Sequence, residues 1–264
     1  TPTQEPVEIP CTIAFDSDRD GNREIYVMGP DGSNPTNLTN EPADDRDPAW
    51  NPQGTQIAFV SNRETEEGPG QFIFVMNCPG QFIFVMNADG SGLRQITGNG
   101  ADLPDWSPDG SWITYSAFND IFIIPVDGSA EPINLTNSPD VNDFSPIWSP
   151  DGSQIAWLSG AANDPNAYLD IMNIDGSSAR QLTTTGNVSN IQWTVDGQIF
   201  LSWDGSEHGC CNFVMNPDGS GITSIGGKGE IQRFLPFWTL EGQRVEIVSG
   251  KSRIWAARMM RFSW

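Results

Sequence analysis

The segment Trp148–Trp157 reads WSPDGSQIAW, and versions of it recur along the chain. Each version starts with Trp, passes through Pro-Asp-Gly or a close variant, and continues into an apolar run. An Asp-Gly pair supplies the positive-φ positions that a tight hairpin needs, and Ile, Ala and Trp are typical of a half-buried strand. The segment therefore predicts a β-hairpin. The phrases begin at Trp50, Trp106, Trp148, Trp193 and Trp238.

The phrases recur about every 45 residues, a period typical of propeller blades. The interval after Trp50 is longer because QFIFVMNCPG (71–80) is followed by the nearly identical QFIFVMNADG (81–90). We expect only one copy to occupy a regular strand position. If the other copy is exposed, Phe72, Phe74 and Met76 form an apolar docking patch. The alternatives are a duplication tolerated in a loop and an error in the recorded sequence.

The phrases WSPDGSQIAW and FDSDRDGNREIYVMGPDG (15–32) resemble the repeat of TolB-type β-propellers, which are distant relatives of WD-repeat propellers. The resemblance covers residues 11 to about 258. It implies an all-β fold, and the repeat count predicts a six-bladed β-propeller of four-stranded antiparallel blades. We expect joined N- and C-terminal segments to close the ring, with the C-terminal RFSW favoured over residues 5–10. Residues 1–10 are predicted to be a Pro/Thr-rich linker or stalk, and residues 11–264 a single propeller domain.

The charge balance narrows the choice of partners. The chain has 13 Lys and Arg against 34 Asp and Glu, a net charge of -21. Such a surface repels phosphate backbones, so nucleic acid is an unfavourable partner and a basic protein segment or a cation is favoured. The chain contains neither an apolar run long enough to cross a bilayer nor a recognisable signal peptide. We expect an extracytoplasmic protein that is periplasmic, cell-surface or secreted.

The loops that lead into the Trp-ending strands are acidic. Propeller geometry would bring these loops together around one mouth of the central channel, where several carboxylates could hold an ion or a basic segment of a partner. The alternative is that each side chain caps its own turn. The candidate residues at this channel mouth are Asp44, Asp45, Asp102, Asp143 and Glu230.

The segment DSDRDG (16–21) resembles a calcium loop because Asp16, Asp18 and Asp20 alternate and Gly21 follows. An EF-hand loop needs a Glu at its twelfth position, and that position is Val27 here. The same segment fits an ordinary turn between two blade strands. Calcium is therefore the one cofactor that the sequence suggests, and otherwise we expect none.

The four cysteines are a candidate disulfide or thiol site, with three connectivities open to them. They are Cys11, Cys78, Cys210 and Cys211. The only histidine, His208, lies close to the last two. A soft metal at this point would lack a fourth ligand.

The sequence offers little catalytic machinery. The single His has no Ser and Asp partners at a recognisable spacing, and there is no Gly-x-Ser-x-Gly elbow. We therefore predict a non-catalytic extracytoplasmic protein-binding propeller that acts as a scaffold or subunit of a cell-surface or envelope assembly. TolB-like repeats also occur in peptidases and in some polysaccharide lyases. One alternative is thus a polysaccharide lyase or hydrolase with carboxylates at the channel mouth, and another is a calcium-dependent adhesin.

Overall fold

In a computed structural model, the protein is described over residues 12–63, 80–98, 100–161, 166–206, 209–224, 237–238 and 244–245. These residues form strands and turns, and no helix among them is long and apolar enough to span a membrane. The predicted all-β fold is confirmed.

The strands form five antiparallel blades that follow one another along the chain. The described part of the first blade has three strands, and each of the other blades has four. The blades are β1 (Ile13–Ser17), β2 (Glu24–Met28) and β3 (Thr36–Asn37); β4 (Asp45–Trp50), β5 (Gln56–Ser61), β6 (Phe82–Asn87) and β7 (Arg94–Gln95); β8 (Ala101–Trp106), β9 (Trp112–Ala117), β10 (Asp120–Pro125) and β11 (Ile133–Asn134); β12 (Val141–Trp148), β13 (Gln154–Ala161), β14 (Tyr168–Asn173) and β15 (Arg180–Gln181); and β16 (Val188–Trp193), β17 (Ile199–Ser206), β18 (Gly209–Met215) and β19 (Thr223–Ser224).

The prediction of six blades is wrong, because the described chain forms five. The sequence count takes Trp238 as the start of a blade. At this point the described residues form only β20 (Phe237–Trp238) paired with β21 (Arg244–Val245), with two residues in each strand. A Trp-led phrase predicts a hairpin, and the two short strands described at this point are fewer than the three or four of each blade. The segments predicted to close the ring lie outside the described residues.

The Trp-led phrases have the same role in each complete blade. The Trp ends the first strand, a tight turn follows, and the Trp pairs with an Ile of the second strand. The pairs are Trp50 with Ile57, Trp106 with Ile113, Trp148 with Ile155 and Trp193 with Ile199.

Consecutive blades are joined by packing and by polar contacts. The first strand of each blade packs on the preceding blade, as β4 does on β1 and β12 does on β8 and β9. The Trp106 indole Nε1–H donates to the Ala49 carbonyl at 3.0 Å. The backbone N–H of Trp148 donates to Asp105 Oδ2 at 2.7 Å. Buried side chains such as Phe59 and Phe213 fill the blades. The blades therefore form one rigid support for the loops at their ends.

The recurring Leu-Thr phrase, which includes Ile-Thr in one copy, extends the outermost strand of a blade. In four blades the Thr hydroxyl accepts a hydrogen bond from a backbone N–H of the neighbouring strand, at 2.9–3.0 Å. The preceding apolar residue donates its own N–H to the carbonyl of the same residue of that strand. Because these bonds complete the outer edge of each blade, the phrase is a structural part of the repeat. The threonines are Thr39, Thr97, Thr136 and Thr183.

The duplicated segment places its second copy in the regular third-strand position. Residues 82–87 of that copy are β6, which pairs with β5 and β7. The first copy, including Phe72, Phe74 and Met76, lies outside the described residues, and so does Cys78. The docking patch at these residues stays a prediction.

Candidate functional site

Because neighbouring strands are antiparallel, the first strand of each blade begins at the end where the second strand joins the third. We call this end the mouth face; it includes the connections 18–23, 38–44, 118–119 and 135–140. The opposite face carries the Trp-led turns 51–55, 107–111, 149–153 and 194–198. The loops of the mouth face differ from blade to blade, whereas the Trp-led turns resemble one another. Variable loops on a repeated scaffold are where a propeller carries recognition.

An ion pair joins two blades at the mouth face. Arg46 Nη1 lies 2.8 Å from Asp102 Oδ1, and its Nη2 lies 3.3 Å from Asp102 Oδ2. Arg46 also contacts Asp47. Arg46 and Asp102 occupy the same position in β4 and β8, four residues before the Trp. A β-bulge follows each of them, and bulges re-aim neighbouring side chains.

Beside this ion pair lies a small cleft of about 190 Å³, which we call the mouth cleft. Asp44 organises its rim: Asp44 Oδ1 accepts a hydrogen bond from the Arg23 N–H at 3.0 Å, and the Asp44 N–H donates to Asn62 Oδ1 at 2.7 Å. The rim is thus fixed before any ligand arrives, and its charges are mixed. The lining residues are Arg23, Asp44, Arg46, Val60, Asn62 and Gln81.

Asp45 lies behind the mouth face in the protein interior. Its side chain is fully buried, and Oδ2 is 2.6 Å from Arg63 Nη2. The same guanidinium lies 3.4 Å from Glu41 Oε1 and over the rings of Phe59 and Phe84. Burial raises the pKa of Asp45, although hydrogen bonds from Ser61 and Arg63 and the charge of Arg63 act in the opposite direction. Asp45 therefore forms a buried ion pair within the second blade and does not face a ligand.

Asp143 stands at the matching position of β12 and is also buried. Its Oδ1 accepts a hydrogen bond from the Trp157 indole at 2.8 Å, and Oδ2 has no hydrogen-bond partner in the described part of the chain. Burial raises the pKa of Asp143 and is the largest cause; the hydrogen bond from Trp157 acts in the opposite direction, and the neighbouring charge of Asp120 raises the pKa further. No basic side chain pairs with Asp143 among the described ion pairs.

The buried carboxyl of Asp143 predicts a pH-dependent effect on stability. A carboxyl whose folded pKa exceeds its unfolded value stabilises the fold while protonated, and this contribution is lost as the pH rises through the folded pKa. We expect Asp143→Asn to raise Tm by about 2–4 °C at pH 7 and to lose this advantage near pH 4. Melting curves at both pH values measure the difference, and Asp140→Asn at an exposed site is the control. An equal gain at both pH values would contradict the assignment.

The five acidic residues predicted for the channel mouth are thus divided by the structure. Asp44 and Asp102 lie at the mouth face, Asp45 and Asp143 are buried behind it, and Glu230 lies outside the described residues. Sequence reasoning missed Arg23, Arg46, Asn62 and Gln81, which complete the cleft. The one available signal was Arg46, a basic residue in a strongly acidic segment at the position that Asp102 holds in the next blade.

The DSDRDG segment ends β1 and begins the turn to β2. The Gly21 N–H donates to the Asp18 carbonyl at 3.1 Å, and Asp20 accepts a hydrogen bond from the Tyr26 hydroxyl. Asp16 is partly buried within β1. Within the described ranges, no group of three or more His, Cys, Asp or Glu side chains is arranged to hold a metal ion. Calcium at Asp16, Asp18 and Asp20 stays a prediction without added support.

The cysteine hypothesis is untested. Cys11 and Cys78 lie outside the described residues, and of Cys210 and Cys211 only the backbone, in β18, is described.

Comparisons with known proteins point to TolB-like propellers. No protein-family model matches the chain. A "Protein TolB homolog" from Chlorobium luteolum is 30% identical over 161 residues, which are 60% of this chain and 33% of that protein. This chain therefore spans only part of that relative's length.

Two solved structures share the fold. TolB from Acinetobacter baumannii has a TM-score of 0.58 and 17% identity, with 80% of this chain and 52% of that chain covered. An oligogalacturonate lyase in complex with manganese has a TM-score of 0.52 and 14% identity, with 89% of this chain and 77% of that chain covered. At these identities the likeness extends to the fold alone.

Proposed function

Because the chain carries TolB-like β-propeller repeats, we propose that it is a non-catalytic protein-binding propeller that works outside the cytoplasm. It would act as a scaffold or as a subunit of a cell-surface or envelope assembly. The similarity to TolB proteins by sequence and by fold supports this class of function. The net charge of -21 favours a partner whose contact surface is basic.

The mouth cleft is the observation that carries the proposal. Its rim is fixed by bonds between its own residues, such as those of Asp44 with Arg23 and Asn62, so it is preorganised for recognition. Arg23 is exposed, and its guanidinium makes no hydrogen bond or ion pair to another described side chain. A cleft lined by charged side chains of both signs and by amide side chains suits polar side chains of a partner protein. Such a cleft resembles the polar periphery of a protein–protein interface more than a deep, apolar substrate pocket.

The second candidate function is cleavage of an acidic polysaccharide, a reaction class found on the same fold in the oligogalacturonate lyase. A polysaccharide hydrolase uses a pair of carboxyl groups on either side of the scissile bond, whereas a lyase needs a base that is free to remove a proton from the sugar ring. Among the described residues that line the mouth cleft, Asp44 is the single carboxylate, and it already accepts a backbone hydrogen bond. We therefore rank this function second.

A paired experiment tests the proposed function. The chain and its Arg23→Glu variant are immobilised, and the proteins that each retains from an envelope extract of the producing cells are quantified. Arg180→Glu makes the same charge change at an exposed residue of β15 and is the matched control. In this proposal the guanidinium of Arg23 donates to an acidic side chain within the otherwise basic contact surface of the partner. We therefore expect the chain and the control to retain the same partner, and Arg23→Glu to bind it about tenfold more weakly.

Two results would contradict the proposal. One is equal retention of every protein by all three forms. The other is turnover of oligogalacturonate or another acidic polysaccharide, measured as new reducing ends or unsaturated products with and without manganese and calcium. Turnover would move the polysaccharide-cleaving alternative to first place.

A further inference from the structure

One aromatic side chain of the mouth face stands out because it is both exposed and held in an unfavourable backbone conformation. Phe118 is 74% exposed, with a φ of 52°. It forms a two-residue turn with Asn119, whose φ is 68°, between β9 and β10. Positive φ at both positions matches the hairpin turn that Asn-Gly forms readily, and a bulky residue there is a true outlier.

The surroundings hold the ring in place without burying it. A Cβ atom at Gly100 would lie 3.0 Å from ring atoms of Phe118, so the glycine leaves room for the ring to lie against its backbone. The Asn119 carbonyl accepts the Asp143 N–H at 2.8 Å, which ties the turn to the next blade. The ring is thus presented to solvent by a fixed turn in a strained backbone conformation. Strain of this kind collects at functional sites.

The chain itself shows which side chain such a ring accepts. The Arg19 guanidinium lies over Phe15 at 5.1 Å and over Tyr26 at 4.5 Å. In the next blade, Arg63 lies over Phe84 at 4.9 Å. A guanidinium is attracted to the face of an aromatic ring and stacks on it.

The charges around Phe118 favour the same ligand. Asp120 directly follows the turn, and the exposed Asp140 lies three residues before Asp143, whose N–H bonds to the turn. Ser116, which pairs with Asp102 of the mouth ion pair, is two residues before Phe118. Asp102 is already paired with Arg46, and the Asp120 carboxylate accepts hydrogen bonds from neutral donors of Asn134 and Ser138. The charges of Asp120 and Asp140, together with the net charge of -21, would attract an arginine of an incoming protein to the ring.

We propose that Phe118 is an anchor for an arginine side chain of the partner protein, stacked on its ring at the mouth face. This inference rests on the proposed protein-binding function and specifies the chemistry of the partner. It also explains why Phe is found where Asn would fit the turn better.

The test uses two labelled hexapeptides, Gly-Arg-Gly-Arg-Gly-Arg and its counterpart with citrulline at each Arg. Citrulline keeps the planar shape and removes the charge. Binding is measured by fluorescence polarisation at low salt for the whole chain and for Phe118→Asn, Phe118→Trp and Val195→Asn. Val195 is 82% exposed on the opposite face and makes the matched control.

We expect the chain to bind the arginine peptide at least fivefold more tightly than the citrulline peptide. Phe118→Asn should weaken arginine binding about fivefold, whereas Phe118→Trp and Val195→Asn should retain it. Phe118→Asn should also raise Tm by about 2–4 °C, because Asn tolerates the turn conformation. A gain in Tm together with weaker binding would show that Phe118 serves binding and is not needed for the stability of the fold.

The inference is overturned if Phe118→Asn binds the arginine peptide as tightly as the unchanged chain, or if the unchanged chain does not bind the arginine peptide or binds the two peptides equally. A fall in Tm for Phe118→Asn would show that the ring supports the fold, and this too would overturn it. If Phe118→Asn binds normally while Arg23→Glu still loses its partner, the proposed function stands and the arginine anchor falls.

Discussion

Replacing Arg63 with methionine is expected to lower the free energy of unfolding by about 3 kcal/mol at pH 7. Asp45 is fully buried, and Arg63 is the basic residue that pairs with it, at 2.6 Å. Without the guanidinium, Asp45 must keep an uncompensated buried charge or take up a proton. Methionine keeps most of the apolar contact with Phe59 and Phe84. The decrease in the free energy of unfolding therefore measures the effect of removing the positive charge. Denaturant unfolding followed by tryptophan fluorescence measures it.

The pH dependence sharpens this prediction. Removal of Arg63 raises the pKa of Asp45 further, so the loss of stability should shrink as the pH falls and Asp45 becomes protonated. The double variant Arg63→Met with Asp45→Asn should recover most of the loss. Arg180→Met is the control, since Arg180 is exposed and its Nη2 donates to the Pro217 carbonyl; its effect should stay below about 0.5 kcal/mol. A loss that is unchanged in the double variant would refute the charge-pair account.

Phe59→Ala is the second prediction with a large effect, a loss of about 3–5 kcal/mol. Phe59 is fully buried in β5, its ring lies 6.0 Å from that of Phe84, and Arg63 lies over both. Truncation leaves a cavity between blades and removes part of the surface on which Arg63 rests. The free energy of unfolding is again the measured quantity.

Phe118→Ala makes the same chemical change at an exposed ring and provides the comparison. Because that ring is 74% exposed, its loss should change stability by less than about 0.5 kcal/mol. Similar losses for the two variants would mean that the packing between the blades does not govern stability.

The repeated parts of the fold could be predicted from the sequence because their signals are local. The Pro-Asp-Gly-Ser part of a phrase determines a turn through hydrogen bonds within a few residues. Asp151 Oδ1 accepts the Ser153 N–H at 3.0 Å, and Asp109 Oδ1 accepts the Ser111 N–H at the same distance. The blade count could not be predicted in the same way. Trp238 begins a similar phrase, but a blade also needs outer strands that pack, and the phrase does not encode these.

The candidate site was only partly predictable for a different reason. Asp44 and Asp45 are adjacent and equally acidic in sequence, yet one lies at the cleft and the other is fully buried. Which of them turns inward depends on the residue at which β4 begins, a boundary that composition does not determine. The Arg46–Asp102 pair spans two blades and depends on the bulges after both residues. Phe118 carried no sequence signal, because its importance lies in its φ angle and exposure.

The central claim is that recognition takes place at the mouth face. Hydrogen–deuterium exchange of the chain with and without its captured partner tests this directly. We predict protection in residues 38–44 and 118–120 on binding, with no change in the turns 107–111, 149–153 and 194–198. Protection confined to those turns, with the mouth face unchanged, would contradict the account.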